Sequence, residues 1–258
     1  MKRAAAVLAA LLLAGCASPG PSAFPSGAVA DYQLGGAYPP PPGVTVVARD
    51  SLEEPAEGIY SICYLNGFQT QPGADWPDDL VLVDDSGERL VDPNWPDENI
   101  IDISSREKRV RAASRLYDGI DLCAAKGFDA VEFDNLDSFS RSDGQLTLDD
   151  AVQYATLLTA HAHGAGLAAA QKNTGELGVR GRDEIGFDFA VVEECDQFDE
   201  CGTFTEVYGE RVIDIEYTDE LRRPFEEVCA AASTPATTIL RDRDLTPLGS
   251  PDYVYERC

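Results

Sequence analysis

The sequence predicts a single α/β domain built as a (β/α)8 TIM-type barrel, and three observations carry that expectation. About 240 residues follow an N-terminal leader, a length typical of one barrel with one core. Eight short apolar segments alternate with helical or loop stretches, the pattern of a parallel sheet. Acidic and amide residues gather at the C-terminal ends of those segments, where barrels of this type place their chemistry. An open doubly wound sheet is the alternative architecture.

Residues 1–15 have the features of a signal peptide. Lys2 and Arg3 precede an apolar stretch from Ala4 to Leu13 that is too short to span a bilayer comfortably. Leu13-Ala14-Gly15-Cys16 resembles a bacterial lipoprotein box, which implies cleavage before Cys16 and lipid attachment to its thiol. Residues 16–29, rich in Pro, Ser, Gly and Ala, form a flexible tether, and residues 30–258 form the domain. The protein is then expected to be exported and lipid-anchored to the outer face of the bacterial cell membrane.

The expected strands are 31–34, 44–49, 59–65, 129–134, 167–172, 187–193, 212–217 and 237–241. Ile100–Ile103 is a ninth apolar scrap, taken as the lead-in to a helix. That helix carries Val110, Ala113, Leu116, Tyr117, Ile120 and Cys123 at helical spacing and stops at Gly127. A second helix begins at Thr147, with Asp150 three residues on in a variant of the capping box, and ends at Gly164 or Gly166.

Six cysteines besides Cys16 fit an oxidising compartment, and six permit fifteen pairings. Cys195 and Cys201 are close enough to staple one loop. Cys229 with Cys258 would pin the C-terminus, leaving Cys63 with Cys123. With no CxxC pair, zinc is a poor alternative. The chain has 46 acidic against 20 basic residues, two of the latter in the leader, and a net charge of −26. Such a surface repels nucleic acid and anionic lipid and attracts a cationic polymer, although acidity also serves solubility alone. Contact with a membrane is therefore expected only through the lipid anchor.

Strand alternation places Ala130, Glu132 and Asp134 on one face and Val131 and Phe133 on the other. The bulky pair suits the helix-covered outside, which points Glu132 and Asp134 into the mouth of the barrel. By the same rule Asp214 and Glu216 face inward, with Ile213 and Ile215 outward. Phe187, Phe189 and Val191 read as an outward set, which makes Glu194 rather than Glu193 the inward acid. Several acids around one cleft suit glycoside hydrolysis, in which one carboxyl protonates the leaving oxygen and another acts as base or nucleophile. Divalent metal binding by oxygen ligands and a salt-bridge network with Arg49, Lys172 and Arg241 are the alternatives. Motifs for a GxSxG elbow, a P-loop, HExxH zinc chemistry and a dinucleotide fold are missing. His161 and His163 fall on different faces of a helix end.

Taken in order, several segments resemble glycoside hydrolase family 114, the endo-α-1,4-polygalactosaminidases. They are Asp31-Tyr32-Gln33-Leu34-Gly35, Ile62-Cys63-Tyr64-Leu65-Asn66-Gly67, Gly127 to Asn135, Ala160-His161 with Gly166-Leu167, Lys172-Asn173, Phe187 to Ala190 with Glu193-Glu194-Cys195, and Glu216-Tyr217. The resemblance spans roughly residues 31–217. It implies a barrel that cleaves α-1,4-linked galactosamine polymers, with Asp134 and Glu193 as the catalytic pair; the sequence itself gives no positive sign of a cofactor or metal. The resemblance also implies that Asp31, Tyr64, Asn135, Lys172, Asn173 and Glu216 hold sugar; Glu132 and Glu194, placed inward by strand parity, and Tyr217 beside Glu216 complete the expected sugar site. Parity and resemblance agree on Asp134 and differ on Glu193 against Glu194. A non-catalytic surface lipoprotein that binds polysaccharide in the same cleft is the competing reading.

Overall fold

A computed structural model describes residues 20–258. The expected signal peptide and Cys16 lie outside the described residues. Nine strands form one curled sheet in sequential order: β1 (Ala30–Gln33), β2 (Val46–Asp50), β3 (Tyr60–Asn66), β4 (Ala130–Asp134), β5 (Ala168–Lys172), β6 (Phe189–Glu193), β7 (Val212–Tyr217), β8 (Thr238–Arg241) and β9 (Tyr255–Arg257). Strands β1 to β8 pair in parallel, and β9 adds antiparallel to β8. All eight expected strands are present, and β9 is an addition that the sequence analysis did not anticipate.

Full barrel closure by a backbone ladder is not seen among the described residues, since the paired order ends at β1 and β9. Side chains bridge the gap instead. Arg241 of β8 donates to the Tyr32 carbonyl and to Asp31 Oδ1 (3.1 Å), and Tyr255 Oη donates to the Ala30 carbonyl (2.8 Å). Helices are also fewer than a full barrel has. They are α1 (Arg106–Lys126), α2 (Leu148–Gly164), α3 (Cys201–Tyr208) and α4 (Phe225–Cys229). Loops join β1 to β2 and β2 to β3. In the first of these, residues 39–42 are all proline, which cannot propagate a helix.

Local signals place α1 and α2 well. Gly127 closes α1 in the left-handed region (φ 91°), where a residue with Cβ would be strained. Thr147 Oγ1 accepts from Asp150 N (3.2 Å), and Asp150 Oδ2 accepts from Thr147 N (3.0 Å), so the capping box is complete. Ile100 and Ile101, expected to lead into α1, instead form isolated antiparallel bridges with Gln69 and Val81. Both are fully buried in a small layer over the outer core.

Two apolar layers flank the sheet. Val131 and Phe133 pack outward with α1 and α2. The inner layer holds Ala130, Phe189, Val191, Ile213 and Ile215, and with them Tyr217. Parity is therefore right on β4 and inverted on β6 and β7. Phe189, Val191 and Glu193 share the inward face, and Asp214 and Glu216 face out. The reason is physical: the barrel interior is itself filled with bulky apolar side chains, so size does not mark the outer face. Three disulfides join Cys63 to Cys123, Cys195 to Cys201 and Cys229 to Cys258, the pairing expected. Among the described residues no helix is long and apolar enough to cross a membrane.

Candidate active site

Three neighbouring strands end in charged residues: β4 in Asp134, β5 in Lys172 and β6 in Glu193. The residue after each turns sharply away in a left-handed conformation: Asn135 (φ 61°), Asn173 (φ 46°) and Glu194 (φ 59°). Asparagine tolerates this backbone, whereas glutamate there is strained, a cost commonly met at functional sites. The turns leave the last inward side chain of each strand facing one cleft.

Lys172 occupies the centre, 2 % exposed. Its Nζ lies 3.2 Å from Asp134 Oδ1 and 3.2 Å from Glu193 Oε2, so these two oxygens are at most twice that distance apart. Burial alone would lower the Lys172 pKa, but Asp134, Glu193 and Glu132 raise it well above the usual value and keep the ammonium charged. Burial likewise pushes the Asp134 carboxyl up. Lys172, the Tyr64 hydroxyl (2.6 Å) and the Asn135 N–H (2.8 Å) outweigh it and hold Asp134 below the ordinary carboxylate range. Glu193 accepts from Tyr217 Oη (2.5 Å) and Asn173 Nδ2 (3.3 Å), and its backbone N–H donates to Asn173 Oδ1 (2.8 Å). Burial raises both tyrosine pKa values, so each hydroxyl stays a donor.

Of the expected sugar-site residues, Tyr64, Asn135, Asn173, Glu194 and Tyr217 line the cavities around this pair. Glu194 does so while paired with Arg243 (2.8 Å). Three others are placed differently. Glu132 is fully buried beneath Lys172, with Tyr32 Oη donating to its Oε1 (2.5 Å), and cannot touch a ligand. Asp31 is buried on the outer side, occupied by Gln33, Tyr38, Arg241 and the Tyr32 N–H. Glu216 faces out and accepts from Asp196 N (2.7 Å), beneath the loop closed by Cys195–Cys201. The alternating histidines pair with Asp121 and Asp188 on the surface.

Sequence reasoning missed the wall opposite the strands. Residues from the β3–α1 connection, Trp95 and Glu98 among them, line a cavity of about 330 Å³ with Tyr64, Asp134 and Glu193. Glu98 accepts from Asn66 Nδ2 (2.7 Å) and Asn135 Nδ2 (3.4 Å) and has no cationic partner among the described residues. The available signal was an apolar ring between Pro93 and Pro96 in a polar stretch with no periodic partner.

A curled, mostly parallel sheet thus presents a lysine-bridged carboxylate pair at its strand ends. The chain belongs to glycoside-hydrolase family GH114, whose family model matches residues 14–258. Comparison with curated proteins gave no match. Among solved structures the chain is similar to Ega3 of Aspergillus fumigatus in complex with galactosamine, at 23 % identity and TM-score 0.70, covering 90 % of this chain and 95 % of that one. It is also similar to the glycoside hydrolase domain of PelA from Pseudomonas aeruginosa, at 16 % identity and TM-score 0.58, covering 90 % and 98 %. At these identities the likeness speaks for the fold.

Proposed function

We propose that this glycoside hydrolase is an exported, lipid-anchored enzyme that cleaves α-1,4-linked galactosamine polymers internally, with Asp134 as nucleophile and Glu193 as acid and base. The carrying observation is the Lys172 ammonium held between the two carboxylates. Asp134, kept ionised by three donors, attacks the anomeric carbon. A C1–O bond to Asp134 forms as the glycosidic C1–O bond breaks, and the Glu193 carboxyl passes its proton to the departing oxygen. Water, deprotonated by Glu193, then displaces Asp134 and restores both groups. Two successive displacements at the anomeric carbon retain its configuration, so attack by Asp134 requires a retained product.

Support for the substrate comes from the galactosamine in the Ega3 complex and from charge. Five acids line the cavity of about 330 Å³ against one arginine, with Lys172 beneath, a balance that suits a sugar carrying ammonium groups. Family membership and the Arg241 clamp from β8 to β1 support reading the sheet as a (β/α)8-type barrel in which loops replace several helices. The leader and Cys16 support export and anchoring, and three disulfides support export.

The test is release of reducing ends from a de-N-acetylated α-1,4-galactosamine polymer. The native chain is expected to be active, and Glu193→Gln to lose about 10²–10⁴-fold, with Asp134→Asn at least as impaired. Unchanged release from both variants would defeat the assignment.

A further inference from the structure

The geometry points to Trp95 and Phe198 as two sugar-stacking platforms, in separate arms of one polymer groove that meet at Glu193. The inference rests on the polysaccharide hydrolase reading and adds where the chain lies. Three cavities share Glu193. Trp95 lines those of about 330 and 510 Å³, and Phe198 lines a third of about 280 Å³. Each residue is 64 % exposed. The other exposed large hydrophobics are all aliphatic, and none of them lines these cavities. Scattered exposed aliphatics are ordinary, but two aromatic rings left open beside the same carboxylate leave a large apolar area for a ligand to cover.

Both rings sit on braced loops. The backbone N–H of Trp95 donates to the Asp92 carbonyl (3.2 Å), and Glu98 N donates to the Trp95 carbonyl (2.9 Å). Asp92 is fixed in turn by Gln69 (2.9 Å) and Arg141 (2.8 Å). Phe198 lies inside the Cys195–Cys201 loop, its N–H donating to the Glu194 carbonyl (3.0 Å), while Asp196 in that loop pairs with Arg222 and Arg223. Loops held this way present the rings in fixed places, so little ordering cost falls on binding. The apolar faces of pyranose rings stack on such surfaces, and an ammonium-bearing sugar gains cation–π attraction as well. A chain gripped in arms on either side of the scissile unit is cut internally.

The protein contains two tryptophans, and Trp76 is buried against Arg115 at 8 % exposure, so a ligand-induced change in emission reports on Trp95. In the Asp134→Asn background, a long galactosamine oligomer is expected to shift and quench that emission. Adding Trp95→Phe should abolish the signal yet retain most of the affinity by calorimetry. Trp95→Ala and Phe198→Ala should each weaken binding about tenfold, and Leu52→Ala should not. Unchanged affinity in both alanine variants, or unchanged emission at saturation, would overturn the platforms while leaving the hydrolase reading intact. Absence of both binding and reducing-end release would overturn that reading as well.

Discussion

Glu132 shows how one buried side chain can shape pH behaviour without meeting substrate. Tyr32 holds one of its oxygens and nothing polar meets the other. Burial is the largest influence, and despite Lys172 it raises the carboxyl to about 7 from an unfolded value of 4.5. Between those values the folded protein retains a proton that the unfolded chain has lost. This contribution to stability is thus complete below about pH 4.5 and is lost as pH rises through 7. Glu132→Gln should remove the dependence. Thermal unfolding from pH 5 to 8 should show the native protein losing stability relative to the variant, by roughly 3 kcal/mol at most. A constant offset between the two curves would contradict the raised value. Asp134 runs the other way: its lowered pKa favours the folded state until acid protonates it.

Among the elements, α2 was the most legible because its signals are local. The capping box at Thr147 joins the helix start to its own first turn, and Asp150 also pairs with Arg109 of α1 (2.8 Å). Thr147→Ala should therefore cost about 1 kcal/mol, seen as a fall in melting temperature of about 2–4 °C in calorimetry. No measurable fall would mean the box forms without stabilising the helix. The strands divide differently. Their positions were readable from apolar runs, and β4 could be oriented because Ala130 and Glu132 contrast with Val131 and Phe133. On β6 and β7 both faces are apolar below the mouth, so alternation carried no sign of which side was in. Asp214 and Glu216 mislead because their acceptors serve Cys195 N, Asp196 N and Thr238 on the outer side. Motif resemblance singled out Glu193, which faces the cleft beside Lys172, where parity preferred Glu194. The Trp95 wall was unreadable for another reason: its position depends on distant partners such as Arg141, not on any local period.

At the scale of the whole molecule, the sheet brings together groups from four strands that lie far apart in sequence. Tyr64 on β3, Asp134 on β4, Glu193 on β6 and Tyr217 on β7 meet around one lysine from β5. The Cys63–Cys123 bridge ties β3 to α1, and Cys229–Cys258 ties the last residue to α4, so the frame resists loosening from either side. That frame holds Asp134 and Glu193 on either side of Lys172, the arrangement the proposed double displacement uses. The most direct measurement is the anomeric configuration of the first product, followed by proton NMR before mutarotation mixes the forms. Starting from an α-1,4-galactosamine polymer, the α-anomer should appear first and the β-anomer only later; a β-anomer that leads would contradict nucleophilic attack by Asp134.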